Sequence, residues 1–247
     1  MTNLSTLQTA LAQGRALKVI SGLNNFDADR VAATVRAADQ GGATFVDIAA
    51  DADLIRLVKG LTTLPVCVSA VEPEAFVMAV EAGADLIEIG NFDSFYAQGR
   101  RFEAEDVLAL TQNTRSRLPA TMLSVTVPHI LPLDQQVQLA EELVSAGADI
   151  IQTEGGTSSS PAHAGTLGLI EKAAPTIAAA YEIARAVRVP VLCASGLSSV
   201  TAPLAIAAGA SGVGVGSAIN QLNSEVAMIA AVRSLVEALA TVERAIA

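Results

Sequence analysis

Four times along this chain a helix-like segment runs into Gly-Ala and then into an apolar, β-branched run. The copies are GGATFVD at 41–47, AGADLIEIG at 82–90, AGADIIQTEG at 146–155 and AGASGVGVG at 208–216. Between them, other apolar runs enter through Leu-Pro or Val-Pro: LPVCVS, LPATMLS and VPVLCAS. An alternation of Gly-Ala and Pro entries is a two-unit repeat, and such self-similarity is hard to accommodate in an open, doubly wound sheet. It predicts a ring, an α/β fold of the (β/α)8 TIM-barrel type. The 247 residues match one such barrel, so residues 1–247 are expected to form a single domain.

The remaining elements fit that count. Strands are predicted at 17–21, 44–49, 65–70, 85–90, 121–126 and 149–154, with strands 7 and 8 inside 189–217. Helices are predicted over 28–40, 52–61, 104–118, 133–146 and 224–245, with Pro73 at the first turn of another. Leu167 to Val187 is expected to form two helical pieces, because Pro175 suits the first turn of a second one. Leu4, Leu7 and Leu11 have helical spacing before Gly14, which predicts a helix over 4–13 capping the N-terminal mouth.

Apolar residues make up 51% of the chain and charged residues 16%, as expected of parallel strands buried on both faces. The mean hydropathy of +0.47 also leaves room for a homo-oligomeric interface. A net charge of −10 disfavours nucleic acid as a partner. No apolar run reaches the length of a membrane span, and Met1 to Arg15 lacks a signal-peptide core. Cys67 and Cys193 fall in strands on opposite sides of the ring, so no disulfide is expected and a reducing, cytoplasmic setting fits.

Function in a barrel sits at the C-terminal ends of the strands. Asp85 and Asp149, directly after Gly-Ala, lie at strand starts and read as structural caps. A charged side chain higher in a strand is costly against the apolar helix layer and should point inward. That rule places Lys18, Asp47, Glu88, Gln152 and Glu154 in the lumen as candidate catalytic groups. One reading is an acid/base set, with Lys18 lowering one carboxylate and burial raising another. The other is a Lys18–Asp47 ion pair that only fixes the barrel. Imine chemistry at Lys18 is a further option. Asp47, Glu88 and Glu154 are oxygen donors suited to Mg2+, but no metal is required, and no His joins them at useful spacing. His129 and His163 fall in loops on the active face, and Asn24-Asn25 and Asn91-Phe92 follow strands where substrate hydroxyls could be met.

The stretch from Val189 to Ser217 reads strand, glycine turn, helix, strand, glycine turn. Amides at the ends of strands 7 and 8 are a common phosphate site in barrels. Ser195, Gly196, Gly214, Gly216 and Ser217 are the candidate phosphate ligands, and Gly155 and Gly156 could add amides. Those last two open the long segment 155–165, which reads as a mobile lid.

AGADIIQTEGG resembles the strand-6 segment of deoxyribose-phosphate aldolases, where the Schiff-base lysine stands at the place of Gln152. Glutamine forms no imine, so that activity is not carried over. The chain as a whole resembles the hypothetical chloroplast reading frame 23 family, on the motifs KVISGLNNFD, AGADLIEIGNFD, QTEGGTSSSP and ASGLSS through GVGVGSAIN. That resemblance implies an α/β barrel of photosynthetic organisms, from cyanobacteria to red-lineage plastids, and supplies no catalytic residues. The function expected is isomerase- or lyase-type acid/base chemistry on a small phosphorylated metabolite. A non-catalytic metabolite-binding or regulatory protein is the alternative, and an FMN-binding oxidoreductase a third.

Overall fold

The computed structural model describes residues 3–96 and 98–242. Eight parallel strands close into a barrel in sequence order, each hydrogen-bonded to its neighbours in the chain and β8 to β1. They are β1 (Ala16–Ile20), β2 (Phe45–Ala49), β3 (Val66–Ala70), β4 (Leu86–Ile89), β5 (Met122–Thr126), β6 (Ile150–Gln152), β7 (Val191–Ala194) and β8 (Gly212–Val215). The helices between them are α2 (Ala28–Gly41), α3 (Ala52–Leu61), α4 (Pro73–Ala82), α6 (Ala104–Arg117), α7 (Leu133–Ser145), α8 (Gly165–Ala186) and α9 (Ala202–Ala207). Preceding them is α1 (Asn3–Ala12), and two short helices, α5 (Asp93–Tyr96) and α10 (Ser217–Asn220), follow β4 and β8. The last helix is α11 (Glu225–Ala240), and the predicted extension of it to 245 lies partly outside the described residues.

The Gly-Ala entries are one motif used four times. Gly42, Gly83, Gly147 and Gly209 have φ of 87°, 110°, 102° and 104°, the left-handed region that glycine enters without a Cβ penalty. The N–H of the alanine that follows each one reaches back to a helix carbonyl: Ala43 to Ala38, Ala84 to Ala79, Ala148 to Leu143, Ala210 to Ala205. These are Schellman closures, which stop a helix and aim the chain into the next strand. Asp85 and Asp149 have the structural role expected of them. Asp85 Oδ2 accepts from Lys59 Nζ and Val66 N, and Asp149 Oδ2 repeats this with Arg115 Nη2 and Leu123 N.

Alternation along the strands sorts side chains into two cores. Outward residues such as Val19, Ile48, Val68, Ile87, Val125 and Val213 pack against the helices. Inward residues form storeys. The lowest is apolar, with Ala16, Phe45, Cys67, Leu86, Ile150 and Leu192 meeting Leu7 and Leu11 of α1. This confirms α1 as a stopper in the N-terminal mouth. Above it the lumen turns polar, with Lys18, Asp47, Ser69, Glu88, Ser124, Thr126 and Gln152 all buried.

One expected break is absent. The segment 165–186 is a single helix with Pro175 inside it. Proline removes one helical hydrogen bond at a cost of about 3 kcal/mol, and here burial of Ala173, Thr176, Ala179, Ala180 and Ile183 along the same helix offsets that cost. Among the described residues no helix is long and apolar enough to cross a membrane. Cys67 and Cys193 are free and buried, one in the lumen and one in the helix layer.

Candidate active site

A cavity of about 470 Å3 opens at the C-terminal mouth. Its wall on the β7–β8 side is Ser195, Gly196, Leu197, Gly216 and Ser217, and Asn91, Asp93 and Glu154 stand on the side of β4 and β6. Of the lumen candidates, Gln152 lines it as well. A second cavity of about 730 Å3, lined by Asn24 and Asn25, shares Gly22, Leu23, Arg30, Ser94 and Asn220 with the first.

Lys18, Asp47 and Glu88 lie below the cavity and do not line it. Lys18 Nζ makes bonds of 2.8 and 2.7 Å to the Glu88 oxygens, with Asp47 Oδ2 at 3.5 Å. The chief partner of Lys18 is therefore Glu88, not the Asp47 expected from neighbouring strands. Burial pulls the lysine pKa down, but Glu88 and Asp47 outweigh it and hold Lys18 charged, above the ordinary lysine range. Asp47 is pushed up to about 6 by burial, which the attraction of Lys18 only partly offsets. Ser69 Oγ donates to Asp47 Oδ1 at 2.6 Å, and Asp47 Oδ2 accepts no hydrogen bond.

Glu154 belongs to a different group. It lies beyond the end of β6 and turns toward α5, so the three carboxylates whose donors would suit Mg2+ are not gathered. Tyr96 Oη donates to Glu154 Oε1 at 2.8 Å, and the backbone N–H groups of Asp93 and His129 add bonds of 3.3 and 3.2 Å. His129 Nδ1 lies 3.1 Å from the same Oε1. With these donors converging on a carboxylate, Nδ1 carries the proton. Burial raises the Glu154 pKa, with Asp93 adding to it against the lowering bond from His129. For His129 burial acts downward, but the bond to Glu154 and the charges of Glu154 and Asp93 carry its pKa above the usual histidine value. Ligand atoms of Asp93, His129 and Glu154 lie within 4.8 Å of one another. If a divalent cation binds at the mouth, this mixed set offers it three ligands; a histidine does join the carboxylates, contrary to the sequence expectation.

The glycines divide by role. Gly196 and Gly216 line the cavity. Gly214 does not: a Cβ there would stand 2.9 Å from Ala194 Cβ and 3.4 Å from Lys18 Cε, so the position is small because the lumen is full. Gly155 and Gly156 also lie outside the lining. At Gly156 the chain runs directly against the backbone of Ser195 and Gly196, with no room for a Cβ. The segment expected to be a lid is fastened at this end. Thr157 N donates to Ser195 Oγ, and Ser158 Oγ to Asp93 Oδ1. His163 is outside the site, 2.6 Å from Glu171 at the surface, and Phe92 is buried against Phe102.

Asp93, Tyr96 and His129 are the residues that the sequence did not join to Glu154. Ser195 and Asn91 carry the described chain's only positive φ values outside glycine, 75° and 62°. Both line the cavity. Backbone held in that region costs about 1–3 kcal/mol and clusters at functional sites.

A closed parallel barrel with a cavity at the C-terminal ends of its strands defines a TIM-barrel protein. Solved structures agree on the fold. Thiamine phosphate pyrophosphorylase from Pyrococcus furiosus superposes with a TM-score of 0.62 at 18% identity, over 94% of this chain and 98% of that one. (S)-3-O-geranylgeranylglyceryl phosphate synthase from Thermoplasma acidophilum, in complex with sn-glycerol-1-phosphate, gives 0.65 at 16%, over 98% and 100%. The chain belongs to the family described as Protein of unknown function (DUF561), whose model matches residues 1–245. Its relatives include the protein ycf23 of Cyanophora paradoxa, 48% identical over 89% of this chain and 90% of that protein. The ycf23 of Pyropia yezoensis is 41% identical over 93% and 84%. The resemblance to the reading-frame-23 family is thereby shown.

Proposed function

We propose that this protein is an enzyme that moves a proton on a small phosphorylated metabolite. The observation that carries the reading is the cavity itself: strand-end glycines on one wall, the carboxylates of Asp93 and Glu154 on the other. Phosphate would sit against the backbone at Ser195-Gly196 and Gly216-Ser217, where amides supply the attraction that an acidic protein lacks overall. Gly155, Gly156 and Gly214 would shape that wall without touching the ligand. The structural relatives named above include enzymes of phosphorylated compounds, which supports the class and not a substrate.

Glu154 is the group best placed to exchange a proton with the ligand. It lines the cavity, and burial moves its carboxyl toward the range useful for acid/base work near neutral pH. His129 and Tyr96 hold it from behind and offer the compensating proton. Lys18, Asp47 and Glu88 act through Gln152 and Asn91, without meeting substrate. The setting is cytoplasmic, or stromal in plastid relatives.

A thermal-shift screen with inorganic phosphate, triose phosphates and sugar phosphates tests the binding by mass action. A ligand that raises the melting temperature should then be turned over by the wild type and bound without turnover by Glu154→Gln. Crystals grown in sulfate or phosphate should show an anion at Gly196 and Gly216, and a wall that stays empty in several such crystals overturns the reading.

A further inference from the structure

Gln152 spends both amide hydrogens below the cavity. Its Nε2 donates to Glu88 Oε1 at 2.7 Å and to Thr126 Oγ1 at 3.1 Å. Its Oε1 is buried and accepts nothing, although the residue lines the cavity. Turning the amide over would set oxygen against oxygen at the Glu88 contact. Lys18 Nζ donates to both oxygens of Glu88, which meets Gln152 as an acceptor. The orientation of Gln152 is therefore fixed by the ion pair beneath it.

Asn91 follows the same rule. Its Nδ2 points down to Ser69 Oγ at 3.2 Å and Glu88 Oε1 at 3.3 Å, which leaves Oδ1 for the cavity side. The amide oxygens are thus the groups these two residues leave free, next to the carboxylates of Asp93 and Glu154, and because Gln152 Oε1 is covered from solvent a hydroxyl in the cavity reaches it by a shift of the side chain. A ligand whose only polar group at this end is a carbonyl would leave Gln152 Oε1 unpaired. A ligand hydroxyl would satisfy it. An acceptor that stays buried and unpaired carries a penalty large enough to discriminate between such ligands.

We infer that the cavity floor selects a polyhydroxylated phosphate ester, with Gln152 Oε1 accepting a hydrogen bond from one of its hydroxyls. Lys18 and Glu88 are positioning residues that set the polarity of that floor. The inference rests on the phosphate reading above for one end of the ligand and on Gln152 for the other.

Calorimetric titration separates the two ends. The probes are glycerol 3-phosphate, propyl phosphate, which lacks the hydroxyls, and 3-aminopropyl phosphate. The wild type should bind glycerol 3-phosphate at least about tenfold more tightly than propyl phosphate. In Gln152→Met that preference should fall below about twofold while propyl phosphate binding is retained. Equal binding of the two by the wild type, or a preference that survives in Gln152→Met, overturns the inference. A preference for 3-aminopropyl phosphate overturns it in favour of an ammonium ligand. The wild-type comparison decides whether or not the variant folds. If no phosphate ester and no inorganic phosphate binds, the phosphate reading falls, and phosphate-free crystals soaked in xylitol decide the rest. A xylitol hydroxyl within hydrogen-bond distance of Gln152 Oε1 supports the selection by hydroxyls, and its absence there overturns it.

Discussion

Ser195 Oγ donates to Asp93 Oδ2 at 3.1 Å, joining the end of β7 to the helix that follows β4 across the barrel mouth. The same hydroxyl receives Thr157 N at 2.7 Å. One side chain thus ties the glycine wall, the carboxylate wall and the 155–165 segment together. Ser195→Ala keeps the strained backbone and removes both ties. Losing the two bonds should cost about 1.5–3 kcal/mol by urea denaturation. Affinity for any phosphorylated ligand should fall with it, and unchanged stability and affinity would show that the mouth is held by other means.

Gly156 and Gly60 make a matched pair of glycines. A Cβ at Gly60 meets nothing within 4 Å, whereas at Gly156 it would strike the Ser195 backbone. Gly60→Ala inside α3 should stabilise the protein by about 0.5–1 kcal/mol. Gly156→Ala should destabilise it by about 1–3 kcal/mol, as overpacking does, and displace the wall at Ser195-Gly196. Melting curves of the two variants should move in opposite directions.

Asp47 makes stability depend on pH. Its pKa rises from 3.8 to about 6 on folding, so the folded state binds more protons between those values. The contribution is fully present below 3.8 and is lost as pH rises through 6. A shift of about two units corresponds to about 3 kcal/mol. Asp47→Asn has no such titration, so its stability relative to wild type should increase by about that amount from pH 4 to pH 7. A difference that stays flat across this range contradicts the assignment.

His129 reports on Glu154 directly. In the wild type its imidazole should titrate above the ordinary value of 6.5, held up by the bond to Glu154. Glu154→Gln removes that bond's charge and leaves burial, which acts downward. The His129 pKa, followed by NMR, should drop in the variant. A pKa that stays high would assign the effect to Asp93 alone, at 3.5 Å from Nδ1.

The parts legible in the sequence were those set by short-range rules. Gly-Ala pairs marked where helices end and strands begin, and strand alternation placed Lys18, Asp47, Glu88 and Gln152 in the lumen. Those signals live within a few residues of one another. The partners of Glu154 do not: Tyr96 and His129 lie 58 and 25 positions away. Asp93 and Tyr96 sit on a helix of 4 residues, too short to show a period. Pro175 misled for the opposite reason, since its local preference was strong and tertiary packing overrode it. Gly214 looked like its neighbour Gly216, and only the crowded lumen beside Lys18 tells the two apart.

The leucines of α1 close the barrel from beneath, so among the described residues the site is a vessel with a single door. Any ligand of the cavity must enter and leave by that opening. A fusion or surface linkage made upstream of α1 would hang from the sealed end, leaving the door clear on an immobilised protein.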